Sequence, residues 1–463
     1  MTSPHSPARA QAAAQLRVLM QWACEARGRP LPEPVRRRAA TILADDIGAM
    51  TAGSLEPQVE KARAGFLRTA SGAAEATVLA RGAPRPDKYT AAAANGMAIT
   101  WCELDEGFRN ASCHAGAYTL PALLAEAEVR GIGVDELLRV IAVAYEVTTR
   151  FALAYPFPKL NVHPHAAWAT LGAGAAASLV RGHDAKTLQD TVTGAASMTF
   201  AGPFDTAVEG SLVRNGWTAA GAWIGQRAAD WAELGVAGGV DTPYDVFVGN
   251  LATRVIPEAL SEGLGTAWSV TNGYHKIFAC CGYAHSAVEA TLDLRGRLAK
   301  RKVEEIAEIV VETGPGGMVL TTVEPETVLA AKFSIPHAVA ATTRLGTAGA
   351  SAFTFDTLAD AGIADLRRRV RLAPYADVGP WPKDRPARVT WKFKDGAEMA
   401  AVCENARGGA DQPFDEPTLL SKLADNAGAV FPAAPRLLAG IIAGEAALLK
   451  RSWRDVVAEL VKS

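Results

Sequence analysis

From Trp101 to His114 the chain reads Trp-Cys-Glu-Leu-Asp-Glu-Gly-Phe-Arg-Asn-Ala-Ser-Cys-His, which sets three carboxylates (Glu103, Asp105, Glu106), Arg109 and His114 between two long apolar segments. Gly107 and Asn110 suit a solvated loop between helices. Trp101, Cys102, Leu104 and Phe108, interleaved with the charges, are residue types that tend to be buried. A half-buried acidic loop shifts the proton affinities of its carboxylates and histidine, which is how general acids and bases are made.

Four further stretches gather polar chemistry. In His163-Pro-His165, Pro164 fixes the backbone beside His163, which suits a held base or a helix cap. The run Tyr274-His-Lys276-Ile-Phe-Ala-Cys280-Cys281-Gly-Tyr-Ala-His285 places Lys276 where it can hold a carboxylate. His285 opens a helix, whose first N–H groups attract anions. Cys280 and Cys281 also read as small buried hydrophobes. In Glu209-Gly-Ser-Leu-Val-Arg214, the arginine precedes a helix and can pair bidentately with a carboxylate. Lys332, in Ala331-Lys-Phe-Ser, stands just inside an apolar helix, where a structural and a binding role are equally open.

The spacing excludes several chemistries. HExxH, HxxxH on one helix face and CxxC are absent, so no metal site is predicted; a His163/His165/Asp105 set is the only candidate. Gly314-Pro-Gly-Gly lacks the Lys-Ser/Thr ending of a phosphate loop and reads as a turn. Without Gly-x-Gly-x-x-Gly or Gly-x-Ser-x-Gly, neither a dinucleotide cofactor nor a serine hydrolase is indicated. What remains is proton chemistry on an anionic small molecule.

These groups must be positioned by 463 residues with 49% hydrophobic and 21% charged content, enough for two or three lobes. A formal charge of −2, spread along the chain, offers no basic face for nucleic acid or anionic membrane. No apolar run reaches the roughly 18 residues of a membrane span. Residues 1–10 read as a loose tail without a signal-peptide core, and six sparse cysteines suit a reducing compartment. A soluble, cytoplasmic protein is expected.

Apolar residues at three- and four-residue spacing predict a helix from Glu33-Pro34 to Gly53. Others are read at 88–103, 116–130, 134–154, 165–181, 186–199 and 216–234, with Glu146 and Arg150 one turn apart as a structural ion pair. After Asn272 the pattern changes. Residues 304–313 carry a β-branched run, and Val389-Thr-Trp-Lys-Phe alternates before Asp395-Gly396 and a partner strand holding Met399, Ala401 and Cys403, a hairpin. Helices at 284–300 and 326–345 lie between the strands, and 415–460 returns to helix, broken at Phe431-Pro. The chain is thus read as mainly α: a helical domain of residues 1–268 with 406–463, and a smaller α+β domain of 269–405, with a site between them.

In order and spacing these motifs resemble the MmgE/PrpD family, which includes 2-methylcitrate dehydratase, cis-aconitate decarboxylase and iminodisuccinate epimerase. Asn95-Gly-Met-Ala with Glu103-Leu-Asp105-Glu, His114 with Leu120-Pro-Ala-Leu-Leu-Ala, His163-Pro, Gly210-Ser-x-x-Arg214, Lys276 to His285, Ala331-Lys-Phe-Ser and Arg385-Pro-Ala-Arg-Val carry the resemblance over about residues 30 to 430. It implies a large all-helical domain, a smaller α+β lid domain, a homodimer and a site without cofactor. It also implies His114 and His163 as proton-transfer groups, with Asp105, Arg214 and Lys276 orienting them and gripping carboxylates; His285, Cys281 and Lys332 are expected beside Arg214 as substrate-binding residues. Ala115, Arg214, Gly282 and Met318 depart from the family pattern of proline, lysine, arginine and the decarboxylase tyrosine. The expectation is a lyase that removes a proton α to a carboxylate of a small polycarboxylate with loss of water. Decarboxylation, epimerisation and a non-catalytic scaffold are the alternatives.

Overall fold

A computed structural model describes residues 6–462. Its centre is the Pro164–Val180 helix, every residue of which is buried. The alanine and glycine content explains how it can be enclosed on all sides: small side chains let neighbouring backbones approach. At Gly225, on the Val213–Glu233 helix, a Cβ would lie 2.5 Å from Gly174 N and from Ala173 Cβ, and at Gly221 2.5 Å from Ala169 Cβ. The Ala115–Arg130 helix covers another side, where Gly172 leaves room for Tyr118. Around this trio pack Pro7–Ala26, Glu33–Ser54, Lys88–Ile99, Val134–Ala154 and Ala185–Ser197. The Glu146–Arg150 pair forms inside Val134–Ala154 at 2.7 Å, and Glu146 also accepts from Ser269 N at 2.6 Å.

The smaller part is a four-stranded sheet in the order Val370–Pro374, Ile306–Thr313, Ala387–Phe393, Glu398–Cys403. The first pair is parallel and the others antiparallel. Alternation sets the faces: Val389, Trp391 and Phe393 are buried while Arg388 is exposed. Gly396 turns the hairpin at φ +85°, a conformation glycine adopts without strain. The helices His285–Gly296 and Ile335–Leu345 pack against this sheet. The architecture is therefore a large helical domain with a smaller α+β domain. Among the described residues no helix is long and apolar enough to cross a membrane.

Several elements differ from the sequence reading. The tail expected to be loose over 1–10 is helical from Pro7, because Pro7 starts a helix whose Ala12, Ala13 and Leu16 are buried; residues 1–5, His5 among them, lie outside the described residues. The helix read at 88–103 stops at Ile99, four residues before Glu103 turns into left-handed backbone at φ +54°. The helix read at 326–345 is two, Val328–Lys332 and Ile335–Leu345, because Ser334 leaves helical geometry to cap the second, accepting from His337 N at 2.9 Å. Strand Val370–Pro374 was not foreseen: it is short, and the arginines around it mask its one buried residue, Val370.

Since Gly225 faces backbone rather than a flexible side chain, Gly225→Val is expected to destabilise the fold by about 1–3 kcal/mol. A lowered midpoint in thermal or urea unfolding would show it, and an unchanged midpoint would mean the two helices can separate at no cost.

Candidate active site

Three chain segments converge. The Lys88–Ile99 helix ends, and Glu103 takes a positive φ, which for a residue with a Cβ costs about 1–3 kcal/mol and is found where surroundings enforce it. The turn carries Glu103, Asp105 and Glu106 into the interior, all three buried. Gly107–Phe108 then pairs antiparallel with Gly273–Tyr274. Gly107 permits this, since any Cβ would lie 2.5 Å from the Tyr274 ring. The ribbon brings Lys276 beside Asp105, with Nζ 3.5 Å from Asp105 Oδ1 and 3.7 Å from Glu103 Oε2. The third segment is the start of the Val213–Glu233 helix. Its Arg214 ion-pairs with Glu103 through Nη2, donates from Nη1 to Thr100 O (3.1 Å) and Asn215 Oδ1 (2.8 Å), and brings Nε within 3.4 Å of His163 Nε2.

The two histidines are held differently. His114 is the N-cap residue of Ala115–Arg130. Its Nδ1 lies 3.0 Å from Glu106 O, towards which its N–H is aimed, and 2.7 Å from Asp105 Oδ2. Both neighbours are acceptors, so the hydrogen sits on Nδ1 and Nε2 keeps its lone pair. His163 is the N-cap of Pro164–Val180, and its Nδ1 accepts from His165 N at 3.1 Å. That contact leaves the hydrogen of the neutral ring on Nε2. The 3.4 Å approach of Arg214 Nε favours the opposite tautomer, but it is the longer of the two contacts and the cap is built into the helix start. Phe204 stacks on His163 at 5.6 Å.

Proton affinities follow from burial and charge. Burial, then the Arg214 charge, pushes His163 well below the usual histidine value, so it is neutral at pH 7. Burial alone would raise Asp105, but Lys276 and then His114 outweigh it and hold the carboxylate well below its usual range. Lys276 likewise stays charged: burial opposes, and Asp105 and Glu103 prevail. Behind the site, Glu106 accepts from Gly116 N (2.7 Å) and Tyr145 OH (3.0 Å), and its own N–H donates to Asp46 Oδ1 (3.0 Å). A Cβ at Gly116 would lie 2.1 Å from Asp46 Oδ2. Burial pushes Glu106 up to about 7 and, together with the charge of Glu106, pushes Asp46 well above its ordinary value, so this pair retains a proton.

His114, His163, Arg214, Lys276 and Cys281 line one cavity of about 60 Å³, space for a few waters or one small molecule, with Asp105 directly behind. Glu103 also lines it, as do Tyr274, Tyr283, Phe333 and Arg385. Cys281 is a protonated thiol, pushed up to about 11 by burial. Two expected substrate-binding residues are not among the lining. Lys332 Nζ donates to Trp101 O at 2.8 Å, which anchors the start of the acidic stretch. His285 turns its Nε2 to Cys280 O at 3.0 Å and faces a neighbouring recess. His165 lies with its ring centre 5.1 Å from that of His114 and 4.5 Å from that of His163, its Nδ1 2.8 Å from Tyr118 OH, outside the lining. No group of three or more His, Cys, Asp or Glu side chains among the described residues is arranged to hold a metal ion.

Comparisons with known proteins identify the family. Residues 17–249 match the MmgE/PrpD N-terminal domain and residues 278–443 the MmgE/PrpD C-terminal domain, so the chain belongs to the MmgE/PrpD family. It is 28% identical over 316 residues to a cis-aconitate decarboxylase-like protein, oryM, of Aspergillus oryzae, with 63% of this chain and 65% of that relative covered. It is 27% identical over 297 residues to a cis-aconitate decarboxylase of Aspergillus terreus, with 60% of each covered. The alignments thus span less than two thirds of these relatives' lengths.

The raised Glu106 has a pH signature. The folded state binds more protons than the unfolded chain between the ordinary carboxylate value and about 7, so this contribution to stability is full at acid pH and is lost as pH rises through about 7. E106Q should therefore lose less unfolding temperature than the wild type between about pH 5 and pH 8. Parallel curves for the two proteins would rule out a protonated Glu106.

Proposed function

We propose that the protein is a lyase that removes a proton from the carbon α to a carboxylate of a small di- or tricarboxylate and expels water from the adjacent carbon. In keeping with the family resemblance, the reading involves no cofactor. The observation that carries it is the cavity-lining His114, with Nδ1–H committed to Glu106 O, Asp105 Oδ2 2.7 Å from the same nitrogen, and Nε2 left free to accept a proton. His114 is then the base, and Asp105 steadies the imidazolium that forms. Lys276, with long contacts to its two carboxylates, faces the negative charge that develops on the substrate. His163, neutral with hydrogen on Nε2, is a hydrogen-bond donor to a substrate oxygen. The proton taken by His114 can pass to the departing hydroxyl, so that water leaves and both histidines end as they began.

The names of the relatives favour a second reading, loss of CO₂ in place of water, since the same groups stabilise the same carbanion. Re-protonation on the other face would make the site an epimerase. As a homodimer, which the family resemblance implies, the protein would have an apolar face available at the exposed Trp223, Trp231, Leu234 and Val236.

Incubation in D₂O with citrate, methylcitrate, cis-aconitate and iminodisuccinate, followed by NMR, separates these outcomes by product and by the site of deuterium. His163→Ala is expected to cut turnover at least ~100-fold, and His114→Gln to abolish exchange at the α carbon. Full exchange in the His114 variant would remove it as the base, and no product or exchange with any polyacid would favour a binding protein over an enzyme.

A further inference from the structure

Of the three cations lining the cavity, two are already engaged. Arg214 is spent on Glu103, Asn215 and the Thr100 carbonyl, and Lys276 lies between Glu103 and Asp105. Arg385 is different. It comes from the segment just before the Ala387–Phe393 strand, and it lines both the cavity and the adjoining recess. Its guanidinium lies over the Tyr283 ring at 4.4 Å, a contact that leaves the in-plane N–H groups unused. Its buried Nε has no hydrogen-bond partner among the described residues. The nearest carboxylate, Asp384, is 3.5 Å from that nitrogen and is held instead by Arg109 at 2.8 Å. Gly282 makes the space: a Cβ there would lie 3.3 Å from Arg385 Nη1 and 3.2 Å from Tyr274 Oη.

A planar donor fork, largely buried and short of acceptors, is costly unless something fills it. We infer that Arg385 is the receptor for a second carboxylate of the substrate, one not attached to the reacting carbon, with Tyr274 Oη beside it. The inference rests on the polycarboxylate reading above and names the residue that makes the site select polycarboxylates over monocarboxylates. Lys276 and the histidines handle the reacting end, and Arg385 fixes the other. The side chain at 282 is the second determinant, because anything larger than glycine intrudes between Arg385 and Tyr274.

The test is calorimetric titration of the full chain with tricarballylate, citrate and cis-aconitate, and with crotonate as a monocarboxylate, paired with KM and kcat on whichever polyacid turns over. R385Q is expected to weaken tricarboxylate binding by about 10- to 100-fold and to raise KM more than it lowers kcat, with crotonate unaffected. R385K, which keeps the charge but not the fork, should fall between, and R388Q, an exposed arginine of the adjoining strand, should match the wild type. R385K also serves if R385Q does not fold. Unchanged tricarboxylate affinity in a folded Arg385 variant, or an equal loss for crotonate, overturns the inference and leaves the lyase reading standing. A wild-type protein that binds no polycarboxylate overturns both.

Discussion

The site depends on charge compensation among buried groups. Glu103, Asp105, Arg214 and Lys276 are all buried, and each is tolerable only because the others are present. Removing one partner of such a set leaves an uncompensated buried charge, at a cost of roughly 3–5 kcal/mol. The left-handed backbone at Glu103 belongs to the same account: the surroundings hold an unfavourable conformation because it delivers two carboxylates to two cations. The acidic residues of a polyanion site are what allows arginine and lysine to be there at all.

That compensation also divides the labour between the histidines. Both stand at helix N-cap positions, yet only His163 caps with its side chain: its Nδ1 faces a backbone N–H, while His114 Nδ1 faces a carbonyl and a carboxylate. Burial keeps His163 neutral, so it can donate a hydrogen bond without carrying charge. The difference lies in what each Nδ1 meets, and composition alone is blind to it.

Much of this was legible in the chain. The 3.6-residue pattern located most helices, the alternation in Val389-Thr-Trp-Lys-Phe located a strand, and the spacing of His114, His163, Arg214 and Lys276 together with the family resemblance located the cavity's main groups. Lys332 and His285 misled because a lysine in an apolar helix and a histidine at a helix start look alike whether they face a ligand or a backbone carbonyl, and here each faces a carbonyl. Arg385 could not be assigned a role from its own neighbourhood. It belongs to the Arg385-Pro-Ala-Arg-Val motif that carries the resemblance, and only the fold sets it over Gly282, a hundred residues away in the chain.

The two-residue ribbon between Gly107–Phe108 and Gly273–Tyr274 is small, but it is a mechanical fastener. It ties the backbone just after Asp105 to the backbone just before Lys276, so paired main chain as well as charge holds these two side chains together. Tyr283 and Arg385 lie beyond that fastening. They line the same cavity without being tied to the ribbon by paired backbone.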